Sequence, residues 1–332
     1  ASGRPASPGW PNSSMGAWHD PEGNMQTIVI SGSSGLVGSA LLPRLKDSGH
    51  RVRRLVRGAA GSLPESIRWD PDSGRLDPAD LEGADAVVHL GGESIASGRW
   101  TAQRRQRIRD SRVISTRLLA RSIAGLERPP KVFACASAVG YYGNRGAERL
   151  TEEALPGEGF LAGVTRQWEE AAEPARAAGV RVVNLRFGVV LSPRGGALRQ
   201  MLPLFRLGLA GRLGGGEQIW SWVAIDDAAG AVCHVLANHT LSGPVNVTAP
   251  EPVSNRQFTA ALARVLRRPA LLPVPGFALR IALGAMADEL LLASACAVPQ
   301  RLLDSGYVFA HADLMSALRH LVGASARSGG SA

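Results

Sequence analysis

Along the chain, short β-branched apolar runs alternate with stretches in which apolar residues recur every three or four positions. The runs at 27–30, 51–56, 86–90, 132–136 and 182–191 read as strands. The stretches between them, 36–46, 101–124 and 160–178, read as crossover helices. Strand 27–30 is apolar on successive residues, as expected when helices cover both faces of a parallel sheet. Past residue 191 the pattern changes. SPRGGALRQ and GRLGGGEQ read as Gly-rich loops, followed by a helix at 226–238, a strand at 245–248 and a helix at 255–268. Pro269, Pro273 and Pro275 lead into helical segments at 279–295, 299–304 and 313–322. The pattern predicts an α/β chain: a Rossmann-type, doubly wound parallel sheet with a smaller α+β C-terminal lobe.

The expected organisation is a nucleotide-binding domain over 25–240, contributing parts of a substrate lobe after 191, and a C-terminal lobe over 241–322. Residues 1–24, rich in Pro, Gly, Ser and Asn and without apolar period, read as a disordered extension or as sequence upstream of the true start at Met25. The small, polar 323–332 reads as a disordered tail. No internal repeat is visible.

Composition adds limits. A chain of 332 residues with 45% hydrophobic residues has material for a full core. No window reaches the roughly 18 uninterrupted apolar residues of a membrane span, and 1–24 lacks the parts of a secretory signal. Cys135, Cys233 and Cys296 lie far apart without a CxxC pair, so neither a disulfide framework nor a zinc site is expected and a reduced, cytoplasmic setting is. The net charge of +9 comes from 37 Lys and Arg, of which only Lys46 and Lys131 are lysines. The one dense basic run, Arg99 to Arg117, raises nucleic acid as a partner, with steep salt dependence as its mark. Elsewhere Arg is spread evenly, so the expected partner is a small molecule, with no nucleic acid and no membrane, and a homodimer is left open.

The strongest chemical feature is SGSSGLVG at 31–38. Gly32, Gly35 and Gly38 follow a buried strand directly and open a helix. Glycine there permits a tight turn and close approach of backbone to a pyrophosphate, while the helix N-terminus offers N–H donors and partial positive charge. A purely structural glycine turn is the bland alternative. The end of the second strand, where an acid would accept the ribose hydroxyls of NAD, reads Leu55-Val56-Arg57-Gly58. Arg57 is therefore the candidate partner for the 2′-phosphate of NADP, with Arg54 second, against the alternative of a solvated strand-end Arg. His89-Leu90-Gly91-Gly92 ends another strand at the sheet's carboxyl edge, where open α/β folds bind ligands.

These blocks, with SAVGYYG at 137–143, FLAGVTRQWE at 160–169, RFGVVLSPRGGAL at 186–198, WSWVAIDD at 220–227, NVTAPEPVSN at 246–255 and VPQRLLDSGY at 298–307, resemble the extended short-chain dehydrogenase/reductases. Within them, the chain is similar to the atypical epimerase-family group that carries its own C-terminal domain of unknown function. The resemblance implies NADP along Gly32, Ser33, Ser34, Gly35, Leu36 and Val37 with Arg57, then across Leu90, Gly91 and Glu93, with Arg112 nearby and Val190 facing the nicotinamide half. For Arg112 a solvated helix face, and for Glu93 a capping role, are the structural alternatives.

Ordinary members of that family use a Ser and a Tyr-x-x-x-Lys, in which the Lys lowers the Tyr pKa for proton exchange with a substrate oxygen. This chain departs from the pattern. It has no Lys after Lys131, and 160–165 reads FLAGVT. Ser137, or Ala138 by a one-residue shift, stands at the family's Ser, and Tyr141 or Tyr142 is the remaining proton donor; Tyr142 reads equally as structural. Trp220 and Trp222, beside Asp226-Asp227, are candidates for a pocket wall, with helix capping the favoured reading of the two acids. His89 and His234 lie on apolar elements and read as core residues, and no metal constellation stands out. Two functions follow: an NADP-dependent oxidoreductase or epimerase-like enzyme acting on a small hydroxyl- or carbonyl-bearing substrate, or a non-catalytic NADP-binding regulatory protein.

Overall fold

The computed structural model describes residues 25–57, 65–96 and 98–327. The expected extension at 1–24 and the end of the expected tail lie outside the described residues. In chain order the elements are β1 (Thr27–Ser31), α1 (Leu36–Asp47), β2 (Arg51–Val56), β3 (Ser66–Arg68), β4 (Ala86–His89), α2 (Ala102–Ala124), β5 (Val132–Ala138), β6 (Arg149–Leu150), α3 (Phe160–Glu170), α4 (Glu173–Ala177), β7 (Arg181–Phe187) and β8 (Val189–Leu191). There follow α5 (Gly196–Arg206), β9 (Ile219–Trp220), β10 (Trp222–Ala224), α6 (Ile225–Ala237), β11 (Gly243–Val247), β12 (Val253–Ser254), α7 (Asn255–Leu266), α8 (Gly276–Leu283), β13 (Cys296–Ala297), α9 (Gln300–Asp304) and α10 (Leu314–Arg327).

Seven strands form one parallel sheet in the order β11-β7-β5-β4-β1-β2-β3. The order reverses direction at β1, the switch point at which doubly wound sheets bind nucleotides. Every β4 residue is buried, because an apolar layer lies on each side of the sheet. One layer joins Ile28, Ile30 and Val88 to Leu41 and Leu45 of α1 and Val232 and Val235 of α6. The other joins Val29, Val87 and Phe133 to Leu119 and Ile123 of α2 and Ala175 of α4. A third cluster, around Leu198, Trp222, Phe258 and Leu318, is the core of the smaller lobe. No described helix is long and apolar enough to cross a membrane.

Several boundaries differ from expectation for identifiable reasons. The strand expected at 182–191 breaks at Gly188, where a Cβ would lie 2.4 Å from the Ser221 carbonyl oxygen; β8 leaves the main sheet and pairs with β10. The helix expected at 160–178 divides at Ala171–Ala172, before Pro174. The helix expected at 279–295 stops at Gly284, with φ +61°, and resumes as a single wide turn at Ala287–Leu291. SPRGGALRQ is not all loop: α5 starts at Gly196 and buries Leu198, Leu202 and Phe205 on one face. The strand expected in the C-terminal lobe is β11, an edge strand of the main sheet beside β7. Helix α10 continues past residue 322 to Arg327.

Candidate functional site

The turn between β1 and α1 is shaped by its glycines. Gly32 has φ +69°, and a Cβ there would lie 2.6 Å from the Leu90 carbonyl carbon and 2.8 Å from the Gly91 nitrogen. A Cβ on Gly38 would lie 2.3 Å from the Gly32 oxygen, so the helix start is pressed onto the turn itself. Gly35 begins α1 with its N–H bonded to the Gly32 oxygen at 3.0 Å, with no side-chain cap and no acid in the first turn. The helix therefore presents uncapped N–H donors and its dipole at the carboxyl edge of the sheet. Ser34 and Gly35 are exposed, and Ser33 and Leu36 half-buried. Across the turn, Leu36 meets Gly196: a Cβ at Gly196 would lie 3.2 Å from Leu36 Cδ2 and 3.4 Å from the Val190 oxygen. Gly32, Leu36, Leu90, Gly91, Val190 and Gly196 thus lie close together at the carboxyl edge of the sheet.

Arg57 follows β2 directly, with its side chain half-exposed and a loose ion pair of 3.9 Å to Asp72. Burial pushes the His89 imidazole down to about 3, helped by the positive charges of Arg57 and Arg112. His89 is a core residue, its Nδ1 2.5 Å from the Ser31 hydroxyl and its Nε2 3.0 Å from that of Ser115. Arg112 does not stand on a solvated face. Its guanidinium donates to the carbonyls of Ile108 and Glu93, both at 2.9 Å, and lies over the Trp168 ring. Burial lowers its pKa to about 10 against the opposing charge of Glu93. Glu93 receives Arg104 at 2.7 Å and its N–H donates to Ser111 at 3.1 Å, so the loop after β4 is pinned to α2 from both sides.

At the ends of β5 and β7 lies a buried polar network. Ser137 donates to Glu169 Oε1 at 2.6 Å, and Arg186 donates to both Glu169 oxygens at 2.8 Å. Arg186 also donates to the Tyr142 hydroxyl at 3.0 Å, which donates in turn to Asn246 Oδ1 at 2.7 Å. Tyr142 is wholly buried, and burial raises its pKa despite Arg186. Its hydroxyl is enclosed and doubly engaged, which is a structural position. Tyr141 is only half-buried, with the Arg186 guanidinium 3.5 Å from its ring centroid. Glu169 and Arg186 escaped the sequence reading. Their signal was an arginine inside an apolar strand, a charge that must find a buried partner.

The tryptophans are placed otherwise than expected. Trp220 and Trp222 are 8% and 1% exposed within the smaller lobe's core, and Trp222 Nε1 donates to the Glu251 carbonyl at 3.0 Å. They pack the lobe instead of facing an open pocket, because strand alternation on either side of Ser221 turns both indoles inward. Asp226 and Asp227 stand in the first turn of α6, whose N-cap, Ala224, makes no side-chain cap bond. Asp227 instead accepts the N–H groups of Ala310 and His311 at 2.7 and 2.9 Å, and Asp226 meets His320.

The profile of the NAD dependent epimerase/dehydratase family matches residues 28–248, and that of a domain of unknown function, DUF1731, matches residues 274–321. The chain is 45% identical over 291 residues to the epimerase family protein Mb2239 of Mycobacterium bovis, covering 88% of this chain and 96% of that one. It is 36% identical over 299 residues to the epimerase family protein YfhF of Bacillus subtilis, covering 89% and 97%. Among solved structures, human epimerase family protein SDR39U1 with NADPH superposes with a TM-score of 0.82 at 31% identity, covering 90% of this chain and 99% of that chain.

Proposed function

We propose, on the premise that the chain belongs to the NAD dependent epimerase/dehydratase family, that it binds NADPH on the β1–α1 turn and acts on a small hydroxyl- or carbonyl-bearing substrate in the cleft beside it. The observation that carries this reading is the uncapped, acid-free start of α1 over a turn that only glycine can make. The human relative solved with NADPH supports the choice of nucleotide. Residues Gly32 to Val37 would hold the pyrophosphate, and Arg57 would exchange its loose contact with Asp72 for the 2′-phosphate. Leu90, Gly91 and Val190 would line the cofactor's path, while Glu93 and Arg112 hold the loop that carries Gly91 in place.

When bound, the nicotinamide supplies or accepts a hydride. The chain's own residues handle the substrate oxygen. Ser137, its proton committed to Glu169, offers lone pairs to a substrate hydroxyl, and Tyr141, its ring under the Arg186 guanidinium, holds the transferable proton. Tyr142 acts as a positioning residue through Arg186. Turnover can run as reduction or as epimerisation, in the cytoplasm.

Calorimetry of NADPH against NADH on wild type and Arg57→Ala tests the cofactor assignment. Preference for NADPH that disappears with Arg57 is expected; failure to bind either nucleotide overturns the proposal. With NADPH bound, loss of nicotinamide absorbance on carbonyl substrates, slowed in Ser137→Ala and Tyr141→Phe, tests the catalytic roles. A second reading, a regulatory NADPH-binding protein without turnover, is favoured by one observation: Ser137 is only 3% exposed and already bonded to Glu169. Any substrate that oxidises NADPH catalytically removes it.

A further inference from the structure

Asp226, His311 and His320 meet where the first turn of α6 faces α10 and the segment before it. His320 Nε2 lies 3.0 Å and His311 Nε2 4.0 Å from Asp226 Oδ2, and donor atoms of all three lie within 4.8 Å of one another. The two imidazoles are stacked, ring centroids 4.4 Å apart and planes 25° apart. The proposed nucleotide site uses none of the three.

We propose that Asp226, His311 and His320 form a binding site for a divalent transition-metal ion of the zinc class, with two imidazole nitrogens and one carboxylate oxygen as ligands and water completing the shell. Ligand atoms at 2.0–2.2 Å from such an ion stand about 3.4 Å apart in a tetrahedral set. The observed separations bracket that value, so closing the site takes shifts of about 1 Å. His320, 41% exposed, has room to turn. Imidazole nitrogen selects a zinc-like ion over calcium or magnesium, which take oxygen ligands.

The surroundings favour a cation. Arg44 Nη2 is 3.8 Å from Asp226 Oδ1, on the oxygen away from the histidines, and Asp227 stands next in the chain. Asp227 also receives the His311 backbone N–H at 2.9 Å and so fixes the main chain of the residue that would carry a ligand. His311 Nδ1 is buried with no hydrogen-bond partner among the described residues, so no bond in the interior ties this ring to its present orientation. Asp226 falls within the epimerase-type match and both histidines within the DUF1731 match. A bound ion would tie the two regions together.

The test uses the full chain, stripped with a chelator and titrated with ZnCl2 by calorimetry, with thermal unfolding followed with and without zinc. One ion per chain and a zinc-dependent rise in Tm are expected, since an ion that binds only the folded state stabilises it. His320→Ala and Asp226→Asn should weaken binding at least about tenfold and abolish the rise, and the exposed His239→Ala should change neither. Absence of binding to wild type, or undiminished binding to a folded His320→Ala, overturns the proposal. If Asp226→Asn does not fold, His320→Ala decides alone, because its side chain is largely outside the core.

Discussion

Arg186 grips both carboxylate oxygens of Glu169 at 2.8 Å each, in a place where the two side chains are 3% and 12% exposed. Sealed from water, each charge depends on the other. Removing one partner leaves a buried charge uncompensated, at a cost of about 3–5 kcal/mol. Glu169→Leu or Arg186→Met alone should lower the free energy of unfolding from urea titration by that measure, and the double variant should recover a large part of it. Additive losses would show that the ion pair is not the source.

The neighbouring tyrosines should separate in the same assay. Tyr142→Phe leaves Asn246 Oδ1 and Arg186 without their shared hydroxyl, a loss of about 1–3 kcal/mol. Tyr141→Phe keeps the ring under Arg186 and should stay within about 0.5 kcal/mol of wild type. On the proposed roles, Tyr141→Phe is the one of these two changes that slows NADPH oxidation. Equal effects on stability would contradict the burial difference.

His89 should shape the acid limb of stability. Its folded pKa of about 3 lies below the ordinary 6.5, burial being the main cause. Between those values the unfolded chain binds a proton that the folded protein refuses, so stability falls as pH drops from about 6.5 toward 3, by up to about 1.4 kcal/mol per pH unit for this one group. Urea midpoints measured from pH 7 to pH 4 should show a shallower decline in His89→Gln than in wild type. An unchanged slope would place the acid sensitivity elsewhere.

Gly32 and Gly49 both have positive φ, +69° and +82°, but only Gly32 has backbone against its face; a Cβ at Gly49 meets nothing within 4 Å. Gly49→Ala should cost about 1 kcal/mol from backbone conformation alone. Gly32→Ala adds a clash with Leu90 and Gly91, costing about 1–3 kcal/mol more, and on the proposed function it also abolishes NADPH binding. Comparing thermal unfolding and nucleotide titration of the two variants separates local strain from damage to the turn.

The parts of this fold legible in the sequence were those whose signal is local. A buried run followed at once by spaced glycines identifies β1, its turn and α1, and the runs of β4 and β5 announce strands covered on both faces. What escaped depended on distant contacts. Gly188 looks like any glycine in a strand until Ser221 is brought against it. Leu198, Leu202 and Phe205 of α5 have helical spacing, but two preceding glycines and a proline masked it. Likewise Glu169 reads as a surface acid at the end of an amphipathic helix; only the arrival of Arg186 from β7 makes it the centre of a network. The histidines beside Asp226 are separated from it by more than eighty positions in the chain, and no spacing rule reaches that far.

The place of β11 at the edge of the main sheet has a mechanical consequence. The chain leaves that sheet after β7, builds part of the smaller lobe through β10, returns for α6 and β11, and departs again for α7. Neither lobe is a continuous length of chain, so no single cut yields both intact and no lone linker serves as a hinge. The two lobes are stitched together by several crossings of the chain.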